Sequence, residues 1–293
     1  LRQQHGRKSL PCCQLRAAIR LNLSVSPHMR DHDDLKKLVN RSGFPLQLAV
    51  ERTVRESENW CVLHREHAWQ HSNGDAGFAD LVLVNPSNCV MVVECKRVQD
   101  SDWIFITPDE PEKTIGSRLY INNTAGHGVE HHGYLDVQVT PSAFVSDFCI
   151  VAGQDAHSRP LLERIAHEVV VASEAVAQEE QPFLEARSYG FRCYAAVIVT
   201  TANLSISAIR DRDICLSTGH ASDQAIESIP WVKFRKQLSN ELVVEPEDLA
   251  WNLESISRAK EKVVYVVNAG HLPKFLEKWG LISSSLASIM RAG

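Results

Sequence analysis

The sequence predicts a mixed α/β fold. Three observations carry this expectation. Residues 45–58 and 161–176 repeat apolar side chains at helical spacing. Between them, 78–84 and 89–98 read as two apolar strands joined by the short turn Asn85-Pro86-Ser87-Asn88. After the second helix, 193–201 (CYAAVIVTT) is a near-continuous apolar run, the pattern of a strand covered on both faces. Helices and strands thus interleave along one chain, which is the signature of layered α/β architecture.

Taken in order, Asp33 to Arg41 predicts a short helix halted at Ser42-Gly43. Pro45 then suits the first turn of a second helix, where its missing N–H costs nothing. Leu46, Ala49, Val50, Thr53 and Val54 carry that helix to about Glu58. Trp60 to Trp69 predicts a strand, followed by the turn-rich link His71 to Gly77. Beyond the hairpin, 99–159 mixes Pro108, Pro111 and glycines with short strand-like pieces such as 134–139. Pro160 opens the second amphipathic helix, marked by Leu161, Ile165, Val169, Ala172 and Val176. Ile229 to Leu238 and Lys262 to Val267 read as further strands, and His271 to Trp279 as a closing helix.

Composition narrows the function classes. The 293 residues are 44% hydrophobic and 23% charged, which are globular proportions. No apolar run reaches the ~18–20 residues that cross a bilayer, so no membrane role is expected. The formal charge is −5, so nucleic-acid contact would rest on local basic patches rather than on a basic surface as a whole. The first thirty residues run against this balance, with Arg2, Arg7, Lys8, Arg16, Arg20 and Arg30 and no acid. Residues 1–28 are expected to pack weakly, or to be non-native with the chain starting at Met29; a basic arm and an Arg-rich leader are the alternatives. The eight cysteines, Cys12, Cys13, Cys61, Cys89, Cys95, Cys149, Cys193 and Cys215, form no C-x-x-C pair. They read as reduced thiols of an intracellular, cytoplasmic protein.

The chemistry-bearing stretch is Gly77-Phe-Ala-Asp80 followed by Val93-Glu94-Cys95-Lys96. Glu94 and Lys96 differ by two, so both project from one face of the end of an apolar strand. A turn centred on Pro86-Ser87-Asn88 sets Asp80 opposite Glu94, with Cβ atoms ~4.5–5.5 Å apart. Two carboxylates that close repel unless a positive charge lies between them. A hard divalent cation, Mg²⁺ or Mn²⁺, meets that need with carboxylate and water ligands. Lys96 then stands where it can orient a water or offset charge developing on a phosphate. An ordinary salt bridge at a sheet edge is the competing reading of the same three residues.

Those residues and their placement resemble the active-site motif of the PD-(D/E)xK nuclease superfamily, the restriction-endonuclease-like fold. The resemblance covers roughly 33–201, including a helix before three strands and a helix and strand after them. It implies metal binding by Asp80, Glu94 and the backbone carbonyl of Cys95, with Lys96 acting on the attacking water. Ala79 stands where a proline is common in the motif, and the Gln-x-x-x-Tyr helix of the RecB-like branch is absent. The expected organisation is one nuclease-like domain over 29–293. Its core spans 33–98 and 160–201, with an insertion at 99–159 and a C-terminal extension at 202–293. A carboxylate from the first core helix often completes such sites; Glu51 is the candidate, with Glu56 and Glu66 as alternatives.

Other features admit weaker assignments. His127, His131 and His132 lie near Glu130 in a glycine-flanked loop that suits metal, substrate or plain solvent. His64 and His67 are expected on opposite strand faces, being three residues apart. Arg97 and the alternating Lys233, Arg235 and Lys236 are candidate phosphate contacts. Trp103 suits the core better than base stacking. Together these features predict a metal-dependent nuclease hydrolysing DNA, aided by a second copy or a helper protein. The alternative is a non-catalytic nucleic-acid or protein interaction module on the same fold.

Overall fold

The computed structural model describes residues 31–71, 74–99, 101–108, 111–124, 131–154, 160–186, 190–222, 224–238 and 253–291. Residues 1–28, Cys12, Cys13, His127 and Glu130 lie outside them. The chain divides into two units, Leu1–Leu38 and Val39–Gly293. Of the first, residues 31–38 are described: they open helix α1 (His32–Arg41), which carries exposed ion pairs Lys36–Asp33 and Lys37–Asp34 one turn apart.

The first whole helix of the second unit is α2 (Phe44–Glu56), which has Pro45 in its first turn as its sequence requires. The helix stops where Ser57 Oγ donates to the carbonyl of Val54 at 2.8 Å. Strands β1 (Cys61–Gln70), β2 (Ala76–Val84) and β3 (Cys89–Lys96) follow as an antiparallel meander. The β2–β3 turn is built by Asn85, whose Oδ1 accepts from the N–H groups of Ser87 and Cys89 at 3.0 and 2.9 Å. Asn88 takes the left-handed conformation (φ 59°) that asparagine tolerates better than most residues. This turn fixes the hairpin register, pairing Val84 with Val90 and Leu81 with Val93.

Then come β4 (Asp102–Pro108), β5 (Thr114–Asn123), β6 (His131–Ser146), β7 (Phe148–Val151), α3 (Leu161–Ala186), β8 (Phe191–Thr200) and β9 (Asn203–Ile209). The chain closes with β10 (Ala225–Ser228), β11 (Trp231–Gln237), α4 (Leu253–Lys260), β12 (Glu261–Asn268), α5 (Leu272–Lys278), β13 (Gly280–Leu281) and α6 (Ser283–Arg291). The main sheet runs β1-β2-β3-β8-β12-β11-β6-β13. Because β5 pairs with both β6 and β8, the five strands β8, β12, β11, β6 and β5 close into a ring. A smaller sheet, β10-β9-β4-β7, is hydrogen-bonded separately and packs Trp103, Phe105, Leu204 and Ile206 into the core shared with α3.

The expected mixed α/β class, a sheet flanked by helices, is what the chain adopts. The organisation within it differs from a core bearing two appendages. Residues 99–159 supply β5 and β6, and residues 202–293 supply β11 and β12, so both segments help close the ring. Their strands pair with partners far along the chain, such as β12 with β8, and no local sequence pattern reports such pairing.

Strand alternation separates two cores. Val82, Val90, Val92, Ile198, Val264 and Val266 face α3 with Ile165, Val169 and Val176. Leu81, Met91, Val93, Val197 and Val267 face the opposite side with Leu46, Val50 and Val54 of α2 and Phe275 of α5. β8 is buried from Cys193 to Thr200, as an apolar run covered on both faces must be. Trp103 lies fully in the α3-side core.

Candidate active site

The hairpin register, continued one step past Leu81–Val93, sets Asp80 opposite Glu94. Val82 and Val92 pair on the α3 side, so Asp80 and Glu94 share that face by alternation. The side chain of Asp80 accepts a hydrogen bond from the backbone N–H of Cys95 at 2.7 Å. Glu94 and Lys96 pair with Ile198 and Thr200 of the central strand β8, which places both at the C-terminal end of a buried strand pair.

A third carboxylate joins from β1. Arg65 pairs with Leu81 and His67 with Ala79, so Glu66 falls opposite Asp80. Glu66, Asp80 and Glu94 therefore stand in line across three adjacent strands. Glu66 has φ 46°, a left-handed backbone that a non-glycine strand residue adopts at a cost of about 1–3 kcal/mol. That kink breaks the two-residue alternation of β1. His64 and His67, expected on opposite faces, consequently stack with ring centroids 4.9 Å apart. Gln47 of α2 ties the kink down: its Nε2 donates to Glu66 Oε1 at 2.5 Å and to the carbonyl of Asp80 at 3.0 Å.

The electrostatics of this row are unbalanced toward negative charge. Burial, the charge of Asp80 and then that of Glu168 push the Glu94 carboxyl up to about 8, against the lowering effect of Lys96. Burial also raises Asp80; the Cys95 N–H lowers it, Glu66 raises it and Lys96 lowers it. One lysine thus faces several carboxylates. Among the described residues the Lys96 ammonium makes no ion pair or hydrogen bond, and its backbone is pinned instead. The N–H of Thr201 donates to the Lys96 carbonyl at 3.3 Å, while the Thr201 hydroxyl bridges the N–H and C=O of Val98 at 2.9 and 2.8 Å.

The remaining sequence candidates separate by location. Glu51 is 3% exposed and is held by Arg55 and by Arg65, the latter at 2.5 Å. Its charge is balanced inside α2 and β1, and it is not among the groups that perturb Asp80 or Glu94. Glu56 lies at the surface beside Arg52. Arg97 is half-buried next to Lys96. The trio on β11 forms no basic face. Lys233 has 0% exposure, Arg235 makes a two-pronged ion pair with Asp147 at 2.9 and 3.1 Å, and Lys236 is paired with Glu163 of α3. A buried ammonium cannot reach a phosphate backbone, so the expectation for Lys233 is corrected here. Nδ1 of His132 is hydrogen-bonded to Asn122 at 2.9 Å, while its loop neighbours His127 and Glu130 lie outside the described residues.

The left-handed kink that brings Glu66 beside Asp80 has no sequence signature, whereas Glu51 borders a helix face whose apolar spacing is plain in the sequence. Glu168 of α3 was missed altogether. Its available signal was a carboxylate one turn from Ile165 and from Ala172, at the edge of the buried stripe.

Among the described residues, no group of three or more His, Cys, Asp or Glu side chains forms a ready metal cluster. The donor chemistry present is two facing carboxylates and a strand-end carbonyl, in surroundings with excess negative charge. That set fits a hard cation which keeps several waters, as Mg²⁺ does. Among the described residues, no helix is long and apolar enough to cross a membrane. Comparison with protein-family models, with curated proteins and with solved structures finds no match.

Proposed function

We propose that this protein is a metal-dependent phosphodiesterase that hydrolyses DNA, built on a restriction-endonuclease-like arrangement of α2, β1–β3, α3 and β8. The observation that carries the reading is the row Glu66, Asp80, Glu94 on three adjacent strands, with Lys96 two residues beyond Glu94 on the same face. A structural salt bridge would balance its charges. Here burial first, and the charge of Asp80 second, push the Glu94 carboxyl up to about 8 in spite of Lys96.

Asp80, Glu94 and the carbonyl of Cys95 are the groups that would hold Mg²⁺ or Mn²⁺. Bound there, such a cation supplies an activated water and neutralises charge on the scissile phosphate. The protein's own residues do the rest. Cys95 N–H orients the Asp80 carboxylate. Lys96, held at its backbone by Thr201, offers an ammonium to the attacking water and to the charge that develops on phosphorus. Arg97 is the neighbouring cation available for an adjacent phosphate.

The test is a panel of linear, circular and branched DNA incubated with the purified full chain and Mg²⁺ or Mn²⁺. Cleavage lost in Lys96→Ala and Asp80→Asn supports the reading. Intact DNA throughout, with no Mn²⁺ site by calorimetry, overturns it and favours a binding module.

A further inference from the structure

The five-strand ring has an open end away from the carboxylate row. There Ser117 of β5, Val137 of β6, Lys233 of β11 and Val263 of β12 line a cavity of about 440 Å³, within the usual size range of small-molecule sites. Asn268, at the other end of β12, pairs with Thr200, the β8 partner of Lys96. At about 3.3 Å per strand residue, the cavity end of β12 lies ~17–23 Å from that junction. The cavity is therefore separate from the candidate active site.

Its charges do not cancel. Arg118 and Arg258 share Asp136, each at 3.3 Å. Arg235 is matched by Asp147 at 2.9 Å and Glu261 at 3.9 Å. Lys233 is the cation left over. It has no exposed surface, and its Nζ donates to the carbonyls of Thr114 and Gly116 at 2.8 Å each, with the Tyr265 ring centroid 5.8 Å away. Among the described residues it has no carboxylate partner. Burial lowers its pKa to about 8, so it stays mostly protonated at neutral pH. A buried cation without a counter-ion is costly to maintain. A second donor is idle as well: Nε of Arg118 is buried with no hydrogen-bond partner among the described residues.

We propose that the cavity at the open end of the ring binds a small phosphate-bearing ligand, drawn by the uncancelled charge of Lys233 beneath the cavity wall and met by the guanidiniums of Arg118, Arg235 and Arg258 that line it. A phosphate has enough oxygens to meet donors from several walls at once, which a single carboxylate does not. Val137, Val145 and Val263 give the remainder of the ligand an apolar wall. The chemistry fits a molecule of mononucleotide kind better than a bare ion, since the cavity exceeds what a phosphate alone fills.

The experiment is calorimetric titration of the full chain with a nucleoside monophosphate, with inorganic phosphate, and with citrate as an anion lacking phosphorus. Saturable binding of the nucleoside monophosphate is expected, with weaker binding of phosphate and none of citrate. Lys233→Met should weaken binding at least ~10-fold, because it removes the one uncancelled charge at the cavity. Arg118→Gln, which alters a residue at the rim of the ring, should do the same and keeps the test valid if the buried substitution fails to fold. Asp80→Asn should leave this binding unchanged. No binding of either phosphate compound, equal binding of citrate, binding insensitive to Arg118→Gln, or loss in Asp80→Asn would each overturn the proposal.

Discussion

The carboxylate of Asp80 accepts a 2.7 Å hydrogen bond from the backbone N–H of Cys95, the residue between Glu94 and Lys96. One side chain of β2 is thereby locked to the strand end that carries the other two charged groups. Asn at position 80 can still accept from that N–H through its carbonyl oxygen, but it carries no charge. Asp80→Asn is therefore expected to melt at or slightly above the wild-type temperature while losing Mn²⁺ binding and DNA cleavage. Thermal melts beside calorimetric Mn²⁺ titration check this. A variant that melts far lower would mean that the charge of Asp80 serves folding instead.

Glu94 predicts how stability depends on pH. Its carboxyl is raised from 4.5 in an unfolded chain to about 8 in the fold, by burial first and by Asp80 second. Below the lower value both states hold the proton, and the group adds no pH dependence. Between the two values only the folded state holds it, so stability falls as pH rises, and the loss levels off above the upper value. Metal-free protein should lose melting temperature from pH 5 to 8. Glu94→Gln should flatten that component and melt higher than wild type at pH 8. Mg²⁺ uptake at pH 7 should release a proton, read as a difference in binding heat between buffers of unlike ionisation enthalpy.

Glu51 and Glu66 offer a direct contrast between two acidic residues of similar sequence prominence. Glu51 balances Arg55 and Arg65 inside the protein. Its removal leaves two guanidiniums without their shared partner, so Glu51→Gln should lower stability by about 1–3 kcal/mol. Cleavage per folded molecule should change little. Glu66 stands beside Asp80 and shares the donor Gln47 with it. Glu66→Gln should leave the melt nearly intact and reduce cleavage ~10–100-fold, the usual cost of disturbing a group that positions metal ligands. Steady-state rates corrected for folded fraction distinguish the two.

The contrast also shows which parts of the molecule were legible. Elements with strong local signals emerged at nearly their observed limits: α2 from Pro45 and its apolar spacing, the β2–β3 hairpin from its Asn85–Asn88 turn, and β8 from its unbroken apolar run. The Asp80–Glu94 pairing followed from that turn alone. What stayed hidden depends on partners distant in sequence. Ring closure needs β5 to meet both β6 and β8. The weight of Glu66 needs a left-handed residue that only tertiary contacts, here Gln47, hold in place. Lys233, on an alternating basic strand, read as a solvent-facing cation because alternation cannot say which face a closed ring turns inward.

Gly77 opens the segment that leads to Asp80, and its lack of a side chain is a packing requirement. It pairs directly with Trp69 across β1 and β2. A Cβ added at Gly77 would sit 2.8 Å from Cζ2 and 3.1 Å from Cε2 of the Trp69 indole. That ring is buried in the α3-side core, so it cannot swing aside without disturbing its neighbours. Gly77→Ala should therefore cost about 1–3 kcal/mol through overpacking. In a domain of this size that corresponds to a fall of roughly 2–4 °C in melting temperature for each kcal/mol. Gly77→Ala combined with Trp69→Leu should recover part of the loss, because the shorter side chain vacates the space the new methyl needs. A double variant no more stable than Trp69→Leu with Gly77 intact is compatible with that account; one that loses the full single-variant penalties added together is not.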